Sequence, residues 1–156
     1  MPQKLELGGY DMIRLEKINA DNYRQCLDLK VSEEQQYFVS SNVDSLAKAY
    51  VFYDRVTPFA IYNDNLMVGF MLIRFNEELN NYFIWQLMID EKHQGKGYGK
   101  QAMNLAIEWM KKDNRCHEIV LTYIAGNEQA KKMYTQLGFE PMGETLDGEV
   151  DMVMQF

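Results

Sequence analysis

The stretch QLMIDEKHQGKGYGKQAMNLAIEWM (residues 86–110) sets glycines at every second position, Gly95, Gly97 and Gly99, between an apolar run and a helical pattern. Ahead of them, YFIWQLMID (82–90) reads as a buried strand. Behind them, Ala102, Leu105, Ala106, Trp109 and Met110 recur at i, i+3, i+4, i+7 and i+8, the apolar face of a helix whose C-terminus suits Lys111 and Lys112. A strand end, a glycine turn and a helix start in succession make an anion site. Backbone N–H groups converge there, the helix dipole adds positive potential, and glycine lets phosphate oxygens approach without a Cβ in the way. The spacing restricts which phosphates fit. A P-loop needs GxxxxGK[ST], and GKGYGKQ has neither that spacing nor the hydroxyl for magnesium. A dinucleotide fingerprint needs GxGxxG, and position 100 is Lys.

Working outward, IRLEKI (13–18) alternates as a first strand, and DNYRQCLDLK (21–30) predicts a helix capped by Asp21 with Tyr23, Cys26 and Leu27 on one face. DSLAKAYVFYD (44–54) predicts a second helix, in which Leu46, Ala49, Tyr50 and Tyr53 recur at helical spacing. TPFAIY and LMVGFMLIRF flank the turn NDN (63–65) as a hairpin. After the glycine loop and its helix, EIVLTYIA (118–125) is a strand. Asn127 then caps a helix with Ala130, Met133, Tyr134 and Leu137 inward, and Gly138 stops it. Gly148 turns a closing hairpin. The order is β-α-α-β-β-β-α-β-α-β-β.

The 156 residues suit one domain, with 47% hydrophobic and 13% aromatic content spread evenly. Residues 1–11 read as a flexible lead-in or an appended remnant, with Met12 as a candidate start and 12–156 as the single domain. No run approaches ~18 apolar residues and no signal pattern opens the chain, so a cytoplasmic protein without membrane contact is expected. Cys26 and Cys116 lack CxxC spacing and the only histidines are His93 and His117, so no metal site is expected, the thiols read as buried and the histidines as surface or strand-flanking residues. The net charge is −7, yet residues 94–117 hold five Lys/Arg against two acids, a local +3 that leaves −10 elsewhere. That balance disfavours nucleic acid and favours a cationic partner.

What remains of the loop is Gln94-Gly95-Lys96-Gly97-Tyr98-Gly99, with LMID (87–90) before it and Asn127, Tyr134, Gly138 and Phe139 spaced as Asn-x6-Tyr-x3-Gly-Phe after it. Together these blocks resemble the GCN5-related N-acetyltransferase (GNAT) family, over the chain from about Met12 to its end. Within it, LDLKVSEEQQYFVSSNVDSLAKAY (27–50) resembles the bacterial spermine/spermidine acetyltransferases. The resemblance implies an α/β fold with a mixed, mostly antiparallel central sheet flanked by helices, and acetyl-CoA as cosubstrate. It also implies that Leu87, Met88 and Ile89 offer backbone groups to the pantetheine arm, and that Gln94, Gly95, Lys96, Gly97, Tyr98, Gly99 and Lys100 hold the pyrophosphate. Asn127 would contact the cofactor arm, and Tyr134 would reach the thioester sulfur as general acid. A backbone N–H near Met88 would stabilise the oxyanion. Some relatives carry a glutamate base where this chain has Thr122, which leaves the base open.

The expected reaction is acetylation of a primary amine, foremost of a polyamine drawn by Glu33 and Glu34, through direct attack in a ternary complex. The partners expected are the small-molecule amine and, as an option, a second copy in a homodimer. Two alternatives stay open: the same chemistry on an aminoglycoside, amino acid or protein N-terminus, and a non-catalytic acyl-CoA sensor that would keep the loop without needing Tyr134.

Overall fold

The structure is a computed structural model that describes residues 12–144 and 147–156, so the expected lead-in at 1–11 lies outside the described residues. The elements are β1 (Ile13–Lys17), α1 (Tyr23–Asp28), α2 (Asn42–Val51), β2 (Val56–Asn63), β3 (Leu66–Asn76), β4 (Asn81–Ile89), α3 (Tyr98–Lys111), β5 (Glu118–Ile124), α4 (Glu128–Leu137), β6 (Glu140–Glu144) and β7 (Glu149–Gln155), with short 3-10 turns at Glu33–Gln35 and Glu91–His93. The α/β order read from the sequence is the order observed.

Seven strands form one sheet in the order β1-β2-β3-β4-β5-β7-β6. Every neighbouring pair is antiparallel except β4 with β5. The β2–β3 hairpin turns at Asp64-Asn65, where Asp64 takes φ 56°, a left-handed conformation that Asp and Asn tolerate best among side-chain-bearing residues. The closing hairpin folds back so that β7, the last strand, lies between β5 and β6.

Each face of the sheet carries its own core. On one face, Ala102, Met103, Ala106, Ile107 and Met110 of α3 and Tyr134 of α4 pack on Ile84, Ile119, Leu121 and Met152. On the other, Cys26 of α1 and Ala49 of α2 pack on Ala60, Phe70, Leu72 and Met88. The strands β2 to β4 are therefore covered on both sides, which explains their near-continuous apolar runs.

Local structure departs from the sequence reading at the first two helices. Asp21 does not cap α1. The N-cap is Asn22, which makes no side-chain cap bond, because its Oδ1 accepts from the Asn19 N–H at 2.8 Å and its Nδ2 donates to Lys17 O. Of the expected inner face only Cys26 is fully buried; Tyr23 and Leu27 are partly exposed. α2 begins at Asn42, behind Ser41, whose hydroxyl accepts from the Asp44 N–H. The helix read over 44–54 ends at Val51, so Tyr53 lies beyond it; Ala49 faces the sheet, and Tyr50 and Tyr53 are 81% and 80% exposed. Among the described residues no helix is long and apolar enough to cross a membrane.

Candidate active site

Pairing between β4 and β5 covers only Tyr82–Ile119, Phe83–Val120 and Ile84–Leu121, then ends. The cause is visible on the other side of β4. There Leu72 faces Gln86 while Ile73 faces Ile84, so Trp85 is an extra residue in the ladder, a β-bulge that bends the strand. The bulge also changes faces: Tyr82 and Ile84 before it, and Leu87 and Ile89 after it, pack with α3 and α4, while Trp85 and Met88 pack with the α1–α2 core. Beyond the bulge the strands splay and a cleft of about 810 Å³ opens between them.

One end of the cleft is the glycine loop. Gly95 and Gly97 take φ 77° and 80°, and Gly97 is the N-cap of α3 with no side chain closing the helix start. The helix opens with the bond from Gln101 N–H to Gly97 O, and the N–H groups of Gly99 and Lys100 precede it at the positive end of the helix. A Cβ at Gly95 would meet nothing within 4 Å, which leaves the backbone open to an anion; one at Gly99 would stand 3.4 Å from Met133 Sδ, so that glycine serves the close packing of α3 on α4. Lys100 and Lys132 add positive charge to the lining. These groups fit the pyrophosphate of a CoA molecule in charge and in backbone access.

The sequence-derived site residues are treated unequally. Leu87, Met88, Ile89, Gly95, Gly97, Tyr98, Gly99, Lys100, Asn127 and Tyr134 all line the cleft. Lys96 is exposed and lies outside its lining. Gln94 lines it too, but its amide Nε2 donates to Ile89 O at 2.9 Å and to Gln35 Oε1 at 2.7 Å, tying the loop to the end of β4. The Tyr98 ring is buried and its hydroxyl accepts from Asn63 Nδ2 at 2.9 Å, which pins the start of α3 to the β2–β3 turn. Asn127 caps α4 through its Oδ1, accepting from the Ala130 N–H at 3.2 Å. Tyr134 is 8% exposed, set between the rings of Tyr123 and Phe139, and burial pushes its phenol up to about 12. Glu33 and Glu34 are exposed and outside the lining, whereas Gln35, Tyr37 and Phe38 just after them form part of the wall. His93, read as a surface residue, is half-buried and lines the cleft, because the turn at Glu91–His93 folds it back under the loop.

The other end of the cleft holds residues that the sequence reading did not single out. Trp85 lies there, with Lys48 Nζ 4.9 Å and Arg74 Cζ 5.5 Å from its ring centroid. Gln86 is buried and fully used: Oε1 accepts from Ser45 Oγ, and Nε2 donates to Ser40 O and Asn42 Oδ1, which holds the 38–42 segment against β4. Thr122 lines the cleft, and its Oγ1 donates to Asp151 Oδ1 at 2.6 Å. Glu149, two residues earlier on β7, is its acidic member. The signal for Asp151 was a polar residue inside the alternating VDMVMQ run; its partner, 29 positions away, was invisible. Cys26 and Cys116 lie outside the lining, and burial raises both thiols, Cys26 to about 12, so neither supplies a thiolate for a covalent acyl step.

Residues 16–139 match the Acetyltransferase (GNAT) family. The chain is 30% identical over 152 residues to the spermine/spermidine N(1)-acetyltransferase of Bacillus subtilis, covering 92% of this chain and 98% of that one. Its fold is similar to that of the spermidine N-acetyltransferase from Vibrio cholerae in complex with CoA and spermine, with TM-score 0.77, 17% identity, and 92% and 95% of the two chains covered. It is equally similar to an aminoglycoside acetyltransferase in complex with coenzyme A, with TM-score 0.77, 16% identity and the same coverage. Family match, near full-length relative and fold agree with the splayed-strand cleft, and the chain belongs to the GNAT acetyltransferase family as an N-acetyltransferase.

Proposed function

We propose that the protein transfers the acetyl group of acetyl-CoA to a primary amine of a polyamine by direct attack in a ternary complex. The observation that carries this reading is the cleft itself, which joins an anion-fitted loop at one end, Tyr134 along its wall and a cation-accepting aromatic face at the other end. Acetyl-CoA, when bound, supplies an activated acetyl thioester. The N–H groups of the loop and the first turn of α3, with Lys100, hold its pyrophosphate. The backbone of Leu87, Met88 and Ile89, on the edge that β5 leaves unpaired, holds the pantetheine arm, and Asn127 borders it. The Met88 region offers an N–H to the oxygen where negative charge develops. Tyr134 keeps its proton at every physiological pH and can donate it to the departing sulfur.

For the amine, the Trp85 ring offers a face that takes cations, and a protonated polyamine would have to displace Lys48 or Arg74 from it. Glu149 supplies a carboxylate, and Glu33 and Glu34, exposed just before the Gln35–Phe38 wall, add long-range attraction. A second reading has a specific observation behind it. Lys48 lines the acceptor end and would suit an amine that also carries a carboxylate, although Asp44 already engages it at 2.8 Å.

Thiol release from acetyl-CoA across spermidine, spermine, an aminoglycoside and a diamino acid tests the proposal. Spermidine and spermine should give the highest kcat/KM. Preference for the diamino acid would favour the second reading, and tight CoA binding without turnover of any amine would favour an acyl-CoA sensor.

A further inference from the structure

An amine with a lysine-like pKa of roughly 10 enters the cleft as the ammonium, with only about three molecules in a thousand neutral at pH 7.5. The nitrogen must lose a proton before its lone pair can attack, and the polar residue of β5 at the mouth of the splay is Thr122, which carries no charge of its own. The residue across the sheet from that threonine is a carboxylate, Asp151.

We propose that Thr122 and Asp151 form a two-residue relay that takes the proton from the incoming ammonium and delivers it to solvent at the far side of β7. Thr122 lies on β5 one residue past the end of the β4–β5 ladder, so its side chain stands at the mouth of the splay, on the same face as Trp85 of β4. Its hydroxyl hydrogen is already committed to Asp151 Oδ1 at 2.6 Å, so the oxygen presents its lone pairs to the cleft. Thr122 and Asp151 are direct partners in the β5–β7 ladder, and backbone pairing fixes their distance. On its other side Asp151 faces Gly143 of β6. Gly143 brings no side chain to the carboxylate, and a Cβ there would meet nothing within 4 Å, so open space lies at that position for a proton to leave.

The relay balances. As the ammonium N–H proton moves to Thr122 Oγ1, the hydroxyl proton moves to Asp151 Oδ1, leaving a neutral amine, a restored hydroxyl and a carboxylic acid. The ammonium loses two protons in becoming an amide: one goes through Asp151 to water, and the other matches the proton that ends on the CoA sulfur. Thr122 is the residue that touches the substrate. Asp151 is a positioning residue that acts through it.

This proposal rests on amine acetylation at this end of the cleft and not on the amine being a polyamine, so the test uses two generic amines of similar size. Ethylamine is an ammonium at pH 7.5, whereas 2,2,2-trifluoroethylamine is the free base. Asp151→Asn and Thr122→Val should each lower kcat/KM for ethylamine about 100-fold and for trifluoroethylamine less than about 2-fold, with Thr122→Ser close to the wild type. A readout apart from turnover is the Thr122 methyl resonance of the CoA complex, which should move on titration with ethylamine. Equal losses on both amines, no loss on ethylamine, or a Thr122 resonance that ignores the amine would overturn the relay. Wild-type turnover of ethylamine without turnover of spermidine would instead overturn the polyamine reading and leave the relay ratio readable.

Discussion

Gly69 of β3 lies directly against Met88 of β4: a Cβ built on Gly69 would stand 2.5 Å from the Met88 carbonyl oxygen and 2.8 Å from the Ile89 side chain. No side chain fits there while the end of β4 keeps its place, and that end is the strand edge proposed to hold the pantetheine arm. Gly69→Ala is therefore expected to cost about 1–3 kcal/mol as an overpacked core site and to weaken CoA binding in the fraction that folds. Denaturant unfolding and calorimetric titration with CoA measure the two effects. A variant with unchanged affinity would show that the Met88 backbone does not touch the cofactor.

Tyr134→Phe keeps the ring that packs between Tyr123 and Phe139 and removes only the hydroxyl. The expectation is a fall in kcat toward the lower end of the ~100- to 10,000-fold range of general acid catalysis, with acetyl-CoA affinity and melting temperature nearly unchanged. Because burial pushes the phenol up to about 12, the wild-type kcat should show no Tyr134-dependent loss up to about pH 10. The linkage sign follows: above about pH 10 the unfolded chain releases this proton while the folded one keeps it, so stability falls with rising pH until the folded pKa is reached. A high-pH limb near pH 8 that disappears in the Phe variant would mean that the phenol is not buried in the working complex.

Gly99→Asp brings a carboxylate to the first turn of α3, beside the N–H groups proposed to bind pyrophosphate, and adds bulk 3.4 Å from Met133 Sδ. CoA affinity should fall at least about tenfold, since a like charge replaces open backbone at the binding locus. Gly99→Ala adds the same Cβ without the charge and serves as the control. If both variants bind CoA equally well, the charge does not face the phosphates.

Glu33→Gln with Glu34→Gln removes two exposed charges that lie outside the cleft lining. If they attract a polycation from a distance, KM for spermidine should rise about two- to threefold at low ionic strength and match the wild type in high salt, where the Debye length falls to about 3 Å. Acetyl-CoA binding should not change. A KM effect that persists in high salt would indicate direct contact, and no effect at low salt would leave them as surface charges.

At the opposite end of the sheet, Asp113 accepts from Arg115 Nη2 at 2.7 Å and from the Tyr82 hydroxyl at 2.9 Å, and the Arg115 guanidinium lies 4.0 Å from the Phe75 ring centroid. The hydrogen bonds from Arg115 hold the Asp113 carboxyl well below the usual carboxylate range. Asp113→Asn should cost about 1 kcal/mol at neutral pH, modest because Arg115 is largely exposed, and leave turnover untouched. A depressed folded pKa stabilises above the unfolded value, so the difference between variant and wild type should begin to shrink below about pH 4 and be lost only as pH falls through the depressed folded value. Thermal melts across that range measure it.

The order of elements, the glycine loop, the Asn127 cap and the Gly138 stop were legible in the sequence because each depends on residues within one or two turns of each other. The position of Tyr134 followed from the same local spacing. Other features are set by strand pairing and by which neighbour reaches the sheet first, and these are not local. The exposure of Tyr50 and Tyr53 depends on α2 facing the sheet through Ala49 and ending at Val51. The bulge at Trp85 exists only as a count against β3, and it decides where β4 leaves β5. His93 enters the cleft because a 3-10 turn folds back, and Gln94 turns to Ile89 because the strand end leaves a carbonyl to satisfy. Thr122 and Asp151 meet only because β7 inserts beside β5. The sequence determined that a glycine loop opens a helix next to a strand and that a tyrosine follows seven residues after a capping asparagine. Only the tertiary structure decided what lines the end of the cleft away from the glycine loop, since that wall is assembled from β4, β5, β7 and the segment before α2, whose residues share no local pattern.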